Sequence, residues 1–319
     1  MRGFWPALPL LALAILASCT TLAQQPAGSE PFLPDASTYT VSKRVDEVNL
    51  VFSVTDRWGH FVSRLPAESF AILDNHLPPE HLNYFQQQSD LPLRVALLVD
   101  LSDSVEYRFK FEQQGATAFL KRVLRSGKDR AFVVGFDSHI HLMQDFTGDT
   151  ARLEKSINAM KTGGDTALYD SLIFAARKLA DTHDTRLERY AIVLITDGMD
   201  TKSRAHLQDA EHAMISSGAV LFALTTNYSS GLVSPGDKIL DQLSAATGGR
   251  VLRAADKSEL QAAFQQAEIT LRNQYVVGYR PADLRYDGGF RPIEIRALRP
   301  HLKVRSRKGY FTAREALPQ

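Results

Sequence analysis

Three oxygen-bearing side chains follow one strongly apolar stretch of the sequence. Val95–Val99 is a run of five apolar residues, which predicts a fully buried strand. Asp100, Ser102 and Ser104 come directly after it, at alternate positions. Alternate positions in an extended loop share one side, and carboxylate and hydroxyl oxygens are the donors that hard divalent cations prefer. The stretch therefore predicts a site for Mg²⁺, Mn²⁺ or Ca²⁺ rather than for zinc.

Two further segments offer matching donors. Asp197 follows the apolar run 192–195, and Gly198 frees the turn after it. Thr166 supplies a hydroxyl in the glycine-containing loop 163–168, which opens a helical segment. A simpler interpretation is that the first segment only caps the helix that follows, as Asp and Ser often do. That interpretation explains one of the three segments and leaves the other two unexplained.

The elements that must position these donors are read from periodicity. From about Leu93 to Gln274, apolar runs alternate with segments of helical spacing, which predicts an α/β fold with a doubly wound, mostly parallel, Rossmann-like sheet. The stretch His139–Met143 predicts an additional antiparallel edge strand. The predicted strands are 95–99, 131–136, 191–195, 220–224 and a weaker one near 251, and the helices are 105–126, 150–161, 167–181, 204–216, 236–246 and 256–273. Ligands bind beyond the carboxyl ends of such strands, where the three segments would meet.

Both flanks of this region have β character. Residues 38–90 contain an alternating strand from Val48 to Val54, a turn near Gly59, and a segment, 82–85, expected to pair back on 70–73. Residues 275–319 contain three further strand signals. We expect the two flanks to form one small all-β, immunoglobulin-like sandwich around the α/β region.

The motif Asp-x-Ser-x-Ser, the loop threonine and the strand-end Thr-Asp-Gly together resemble the von Willebrand factor A domain and its metal-ion-dependent adhesion site. The resemblance covers roughly 93–270, and the flanks resemble those of bacterial A-domain envelope proteins with an immunoglobulin-like companion. It implies that Ser102, Ser104 and Thr166 bind the cation directly and that Asp100 and Asp197 hold it mostly through waters. It also implies one open coordination position, which accepts an Asp or Glu carboxylate from a protein partner.

The amino terminus reads as a targeting segment. Arg2 precedes the apolar stretch 8–17, which is too short to span a membrane, and Leu16-Ala17-Ser18-Cys19 resembles a bacterial lipobox. Lipidation of Cys19, the single cysteine, would anchor the chain to a membrane. Ordinary cleavage after Ala23 would instead give a secreted protein. Either way we expect an extracytoplasmic protein of the cell envelope.

These signals divide the chain into a signal peptide (1–23), a linker rich in Pro, Ser, Gly and Gln (24–37), a β segment (38–90), the A domain (91–274) and a second β segment (275–319). Hydrophobic residues make up 44% of the chain and charged residues 23%, as in ordinary globular proteins. The net charge of +1 gives no indication of nucleic-acid binding.

Several other charged residues have two interpretations. Asp165, Asp170 and Asp200 lie near the predicted ligands and are candidates for an outer shell or rim, although Asp170 also suits the first turn of a helix. His139 and His141 have a zinc-compatible spacing but no third ligand nearby. The segment 291–308 is strongly basic. It suits an anionic glycan or phosphate surface, but protection of an exposed sheet edge is the favoured interpretation.

The sequence thus predicts a non-enzymatic module that captures a protein partner through a bound cation, with no small-molecule substrate. Two alternatives remain open. One is a scaffold of an envelope complex in which the ion is merely structural. The other is a metal-dependent hydrolase, and it is disfavoured because phosphatases of the haloacid-dehalogenase kind need a second carboxylate where this chain has Ser102.

Overall fold

A computed structural model describes residues 47–88, 90–182, 188–225, 233–254 and 256–314. The strands are β1 (Val48–Thr55), β2 (Phe70–Asp74), β3 (His81–Gln88), β4 (Leu93–Asp100), β5 (Arg130–Phe136), β6 (Ile140–Thr147), β7 (Arg189–Ile195), β8 (Val220–Thr225), β9 (Arg250–Arg253), β10 (Gln274–Arg280), β11 (Phe290–Ala297), β12 (Lys303–Ser306) and β13 (Gly309–Phe311). The helices are α1 (Glu106–Val123), α2 (Thr150–Asn158), α3 (Leu168–Ala180), α4 (Leu207–Ser217), α5 (Pro235–Thr247) and α6 (Lys257–Arg272). The predicted signal peptide, linker and Cys19 lie outside the described residues.

The central sheet has six strands in the order β6-β5-β4-β7-β8-β9. All neighbours pair in parallel except β6, which runs antiparallel to β5 at the edge. The prediction of a doubly wound, mostly parallel sheet is confirmed, as is the antiparallel edge strand. Each predicted helical segment overlaps one of the six helices.

Helices cover both faces of this sheet because successive strand residues point to opposite sides. Val95, Leu97 and Val99 pack with α1, α2 and α6, whereas Ala96 and Leu98 pack with α3, α4 and α5. These five residues are fully buried. An uninterrupted apolar run is therefore what this central strand requires on both faces.

Two antiparallel sheets are built from the flanking segments. One has the order β12-β1-β10-β3, and the other has the order β13-β11-β2. Their shared core contains Phe52, Phe70, Phe85 and Tyr275, whose rings lie 5.1–6.2 Å apart. The Tyr275 hydroxyl is also satisfied, since it accepts from the Leu65 N–H at 3.1 Å and donates to the Val62 carbonyl at 2.9 Å.

The expectation that 82–85 pairs back on 70–73 is wrong. β3 pairs with β10, and β2 pairs with β11. After the turn at Asp74, the chain crosses to the opposite sheet, so Phe70 and Phe85 face each other across the core with ring centroids 5.7 Å apart. A direct hairpin would have placed both rings in one sheet and left the sandwich core unfilled.

The antiparallel sheets contact the α/β region through the helices α4 and α5. The Lys308 N–H donates to the Ala246 carbonyl at 2.9 Å, and the ring of Phe311 lies 4.0 Å from that of His212. Gly248 ends α5 at a positive φ of 81°, where a Cβ would lie 2.5 Å from the Ser306 backbone. Only glycine allows the two chain segments to approach this closely.

Candidate metal site at the carboxyl edge of the sheet

Two of the predicted donors occupy the ends of neighbouring strands. Asp100 ends β4, and Asp197 comes two residues after the end of β7, which pairs with β4 in parallel. The Thr196 hydroxyl bridges the two strands by donating to Asp100 Oδ2 at 2.6 Å, and it accepts from the Gly198 N–H at 3.1 Å. The parallel register therefore brings carboxylates 97 positions apart in the chain to one edge.

A chain of hydrogen bonds joins four of the five predicted ligands. Asp100 Oδ1 accepts from the Ser102 N–H at 2.9 Å, and the Ser102 and Ser104 hydroxyl oxygens lie 3.0 Å apart. Ser104 donates to Asp197 Oδ2 at 2.8 Å. The loop after β4 thus brings two hydroxyls and two carboxylates within hydrogen-bonding distance of one another.

Thr166 approaches the same edge on its own loop. The Gly163 N–H donates to the Leu101 carbonyl at 2.7 Å, and Gly164 and Asp103 exchange two hydrogen bonds of 3.2 Å. Gly163 and Gly164 have φ values of 152° and 98°, which an L side chain rarely adopts. Thr166 is buried, and among the described residues its hydroxyl makes no hydrogen bond to the other four side chains.

The electrostatics of this edge favour a cation. Asp100 is fully buried, and this burial raises its pKa to about 6; hydrogen bonds from Thr196 and Ser102 offset part of the rise, while the like charge of Asp197 adds to it. Asp197 is also buried. Within the described ranges, neither carboxylate forms an ion pair with Lys, Arg or His. Two buried negative charges without a positive neighbour, beside neutral hydroxyls, fit the donor set of a hard divalent cation.

The three outer acidic candidates have structural partners. The Asp165 carboxylate lies 3.6 Å from Lys202 Nζ at the surface. Asp170 accepts from the Arg204 and Ala205 N–H groups, at 3.0 and 3.1 Å. Asp200 accepts from the Tyr169 N–H at 3.2 Å and from the Ser203 hydroxyl at 2.6 Å. These bonds connect the loop after Asp197 to the start of α3.

Sequence reasoning missed Thr196, Thr201 and Ser203. The Thr201 hydroxyl accepts from the Thr166 N–H at 2.9 Å, and the Ser203 hydroxyl accepts from the Asp170 N–H at 3.1 Å. These side chains satisfy backbone donors at the start of α3 from another loop, so no local capping pattern revealed them. Thr196 belongs to the strand-end motif, and its position directly before Asp197 was the available signal.

The histidine pair lies near one further carboxylate. His141 Nε2 is 3.0 Å from Asp137 Oδ2, and His139 Nδ1 is 3.7 Å from Asp137 Oδ1. Both rings are substantially exposed. Across the residues that the structure describes, no group of three or more His, Cys, Asp or Glu side chains is arranged to hold a metal. The candidate site is of a different type, because hydroxyls make up three of its five donors.

We expect Gly236→Ala to displace the backbone of the loop that carries Asp197. The new Cβ would lie 2.3 Å from the Asp197 carbonyl oxygen and 2.9 Å from the Gly198 backbone, so the loop that carries Asp197 must shift. A loss of about 1–3 kcal/mol in the free energy of unfolding is expected from such overpacking, measured by urea denaturation. Gly218→Ala is the control, because its Cβ meets nothing within 4 Å and costs only the strain of a positive φ. Equal stability of the Gly236 variant and the wild type would contradict the close packing of Gly236 against the Asp197 loop.

Across the described residues, no helix has the length and apolar character needed to cross a lipid bilayer.

Comparison with known proteins bears on the fold and on this site. A family model of the von Willebrand factor type A domain matches residues 95–199, a range that contains all five predicted ligands. None of the curated proteins matches the chain. Among solved structures, a von Willebrand factor type A protein from Catenulispora acidiphila is 12% identical with a TM-score of 0.50, and the match covers 83% of this chain and 74% of that one.

Two proteins of bacterial pili are also similar. The PilB minor pilin from Streptococcus sanguinis is 14% identical with a TM-score of 0.47, over 59% of this chain and 62% of that one. The vWF domain of Mfa5, a type V pilus tip protein from Porphyromonas gingivalis, is 26% identical with a TM-score of 0.31, over 34% of this chain and 39% of that one. This chain thus spans less than two thirds of either. Residues 95–199 thus match the von Willebrand factor type A domain, and the Catenulispora structure shares the fold of this chain.

Proposed function

We propose that this chain is a protein-binding, adhesion-type module that holds a divalent cation at the carboxyl edge of its central sheet. The observation that carries the proposal is the hydrogen-bonded set of Asp100, Ser102, Ser104 and Asp197, whose two buried carboxylates have no ion-pair partner among the described residues. Ser102, Ser104 and Thr166 would bind the ion through hydroxyls, and Asp100 and Asp197 would balance its charge. Mg²⁺ suits this set, and Mn²⁺ or Ca²⁺ are alternatives.

A bound cation would supply electrostatic attraction for an Asp or Glu carboxylate of a protein partner. The chain's own residues prepare that contact, because neutral hydroxyls would bind the ion directly while the two carboxylates hold it mostly through waters, so the ion stays electrophilic toward an incoming anion. Exposed apolar side chains adjoin the loops of the site: Tyr107 is 79% exposed at the start of α1, and Met199 is 41% exposed two residues after Asp197. An aromatic ring beside a charged contact is a common anchor in protein interfaces.

We further propose that the module works outside the cytoplasm, in the cell envelope. The apolar segment that ends at Cys19 supports export, with lipidation of Cys19 or secretion as the two routes. We also propose that 38–90 and 275–319 form one β unit and 91–274 the A domain. Its support is the pairing of β1 with β10 and with β12.

We do not assign an enzymatic activity. The position two residues after Asp100 is a serine, so the second carboxylate needed for aspartyl-phosphate chemistry is missing from that position. The alternative of a scaffold with a merely structural ion shares the same site. The two differ in whether partner binding depends on the ion.

Calorimetric titration of Mg²⁺, Mn²⁺ and Ca²⁺ into the purified protein tests the cation proposal. We expect one site in the wild type and no binding by Asp100→Asn, because the variant loses one of the two balancing charges. Asp103→Asn is a matched control: it removes the same charge from the same loop but keeps an acceptor for the Gly164 N–H. Absence of binding to the folded wild type, or equal loss in the two variants, would contradict the proposal.

A further inference from the structure

A cavity of about 1070 Å³ lies between the antiparallel sheets and the α/β region. Its walls come from four elements that are distant in the sequence. They are represented by Ser53 and Thr55 on β1, Arg250 on β9, Gln266 and Asn273 on or just after α6, and Arg305 on β12. This cavity is separate in sequence from the five residues of the candidate metal site, none of which lines it.

Within the described part of the chain, two arginines of this cavity have no carboxylate partner. There the Nε of Arg250 is buried without a hydrogen bond, and the guanidinium of Arg305 donates a long bond of 3.4 Å to the Gly249 carbonyl. Burial lowers the pKa of Arg250, and the like charge of Arg305 lowers it further. Glu259 also lines the cavity. Two repelling guanidinium groups at one cavity wall are suited to an anionic group between them.

A neighbouring arginine, Arg253, has a carboxylate partner. Arg253 lies on the same strand as Arg250, and its Nη2 is 2.8 Å from Asp241 Oδ2. Other members of the basic segment are likewise paired, since Arg291 bonds Asp287 and Arg296 bonds Glu294. Arg250 and Arg305 differ in this respect from Arg253, Arg291 and Arg296.

Protection of a sheet edge explains only part of the basic segment. β12 is indeed an edge strand of its sheet, so exposed Lys303 and Arg305 would discourage pairing with another chain. Arg250 lies on β9, which is itself the edge strand of the central sheet, but its guanidinium Nε is buried, so protection of an exposed edge does not account for it. The convergence of Arg250 and Arg305 on one cavity needs another explanation.

The remaining lining is rich in neutral hydrogen-bonding groups. Ser53 pairs with Arg305 in the β1–β12 register, and Thr55 follows on the same face, so both side chains lie beside the basic edge. Gln266 and Asn273 add amide groups from the opposite wall. Hydroxyls and amides are groups that bind sugar hydroxyls.

We propose that this cavity binds an acidic polysaccharide, whose carboxylate or sulfate group lies between Arg250 and Arg305. The hydroxyls of Ser53 and Thr55 and the amides of Gln266 and Asn273 bind the sugar hydroxyls. The site is independent of the cation, because no predicted metal ligand contributes to it. The module would then hold a glycan at one place and a protein partner at another.

Fluorescence anisotropy with labelled dextran sulfate, polygalacturonate and neutral dextran tests this site at physiological salt. We expect binding of at least one acidic polymer and none of neutral dextran, and the preferred polymer identifies sulfate or carboxylate as the acid. Arg305→Gln should weaken binding about tenfold or more, because a charge-assisted contact is lost. Failure of both acidic polymers to bind would overturn the proposal.

The control is Arg299→Gln, which removes the same charge from the same basic segment at an exposed position outside the lining. We expect its affinity to stay within about twofold of the wild type. An equal loss in Arg299→Gln and Arg305→Gln would overturn the proposal, because it would show attraction to overall charge. Arg250→Gln should weaken binding as Arg305→Gln does, and if its thermal unfolding shows that it does not fold, Arg305→Gln alone decides.

Discussion

Replacing Asp129 by asparagine should lower the free energy of unfolding by about 3–5 kcal/mol, the usual cost of breaking a buried ion pair from one side. The Asp129 side chain is fully buried and accepts five hydrogen bonds. Its donors are the Leu93 N–H at 2.8 Å, the Arg125 N–H, Nε and Nη2 at 2.7, 3.1 and 3.3 Å, and Arg272 Nη2 at 2.6 Å. An asparagine amide would turn two donors toward these groups and remove the anion that Arg125 and Arg272 share, although Arg125 would keep its contact with Asp90.

The position of Asp129 explains why its replacement should destabilise the whole fold. It joins the first residue of β4, the turn before β5 and the last residue of α6, just before the chain enters β10. Asp90→Asn is the matched control, because its carboxylate also binds Arg125, at 2.8 Å, but is 84% exposed. We expect less than about 1 kcal/mol for the control, measured by urea denaturation. Similar losses in the two variants would contradict this role of Asp129.

The same carboxylate should give a pH-dependent contribution. Burial alone would raise the pKa of Asp129, but the hydrogen bonds from Arg125 and Arg272 outweigh it and hold the pKa at about 2. Since this lies below the ordinary 3.8, the contribution to stability is present above pH 4 and is lost as the pH falls through 2. The difference in stability between the wild type and Asp129→Asn should therefore shrink by about 2 kcal/mol from pH 5 to pH 2. A constant difference would contradict the shifted pKa.

Asp129 also shows where sequence reasoning ends. Residues 127–129 read as a polar surface turn, and nothing local indicates that a carboxylate there is buried by an arginine 143 positions later. The strands and helices could be predicted because each is encoded locally. Val95–Val99 is apolar on both faces, and the apolar residues of each helix recur at the helical period. The pairing of a strand with a partner distant in the sequence has no such local signal. This is the case for β2, which pairs with β11, and for β3, which pairs with β10.

The candidate site follows the same division. Four of the candidate ligands could be predicted because each follows an apolar run, and the ends of adjacent parallel strands meet. They are Asp100, Ser102, Ser104 and Asp197. Thr201 and Ser203 could not be predicted, because they accept hydrogen bonds from backbone N–H groups at the start of α3 while lying on a separate loop. The sequence thus indicates which side chains meet at this edge of the sheet more readily than which ones hold their loops in place.

Thr166→Ala should separate capture of a partner from a merely structural ion. We expect peptides selected for binding to the wild type in Mn²⁺ to contain an Asp or Glu, and to lose binding when that residue is changed to the amide or when EDTA is added. Thr166→Ala should weaken binding of such a peptide by at least about a hundredfold, because a hydroxyl that would bind the ion directly is lost. The buried position of Thr166 leaves room for alanine without a clash, so the variant should fold.

Thr166→Ser is the decisive control, because it keeps the oxygen and removes only a methyl group. If the hydroxyl binds the ion, Thr166→Ser should retain affinity within about tenfold of the wild type, whereas Thr166→Ala should not. The backbone bonds that fix this loop, from Thr166 to Thr201 and from Gly163 to Leu101, are unchanged in either variant. Equal binding of the peptide by the wild type and Thr166→Ala, with or without EDTA, would favour the scaffold. The ion would then stiffen three loops while the partner binds elsewhere.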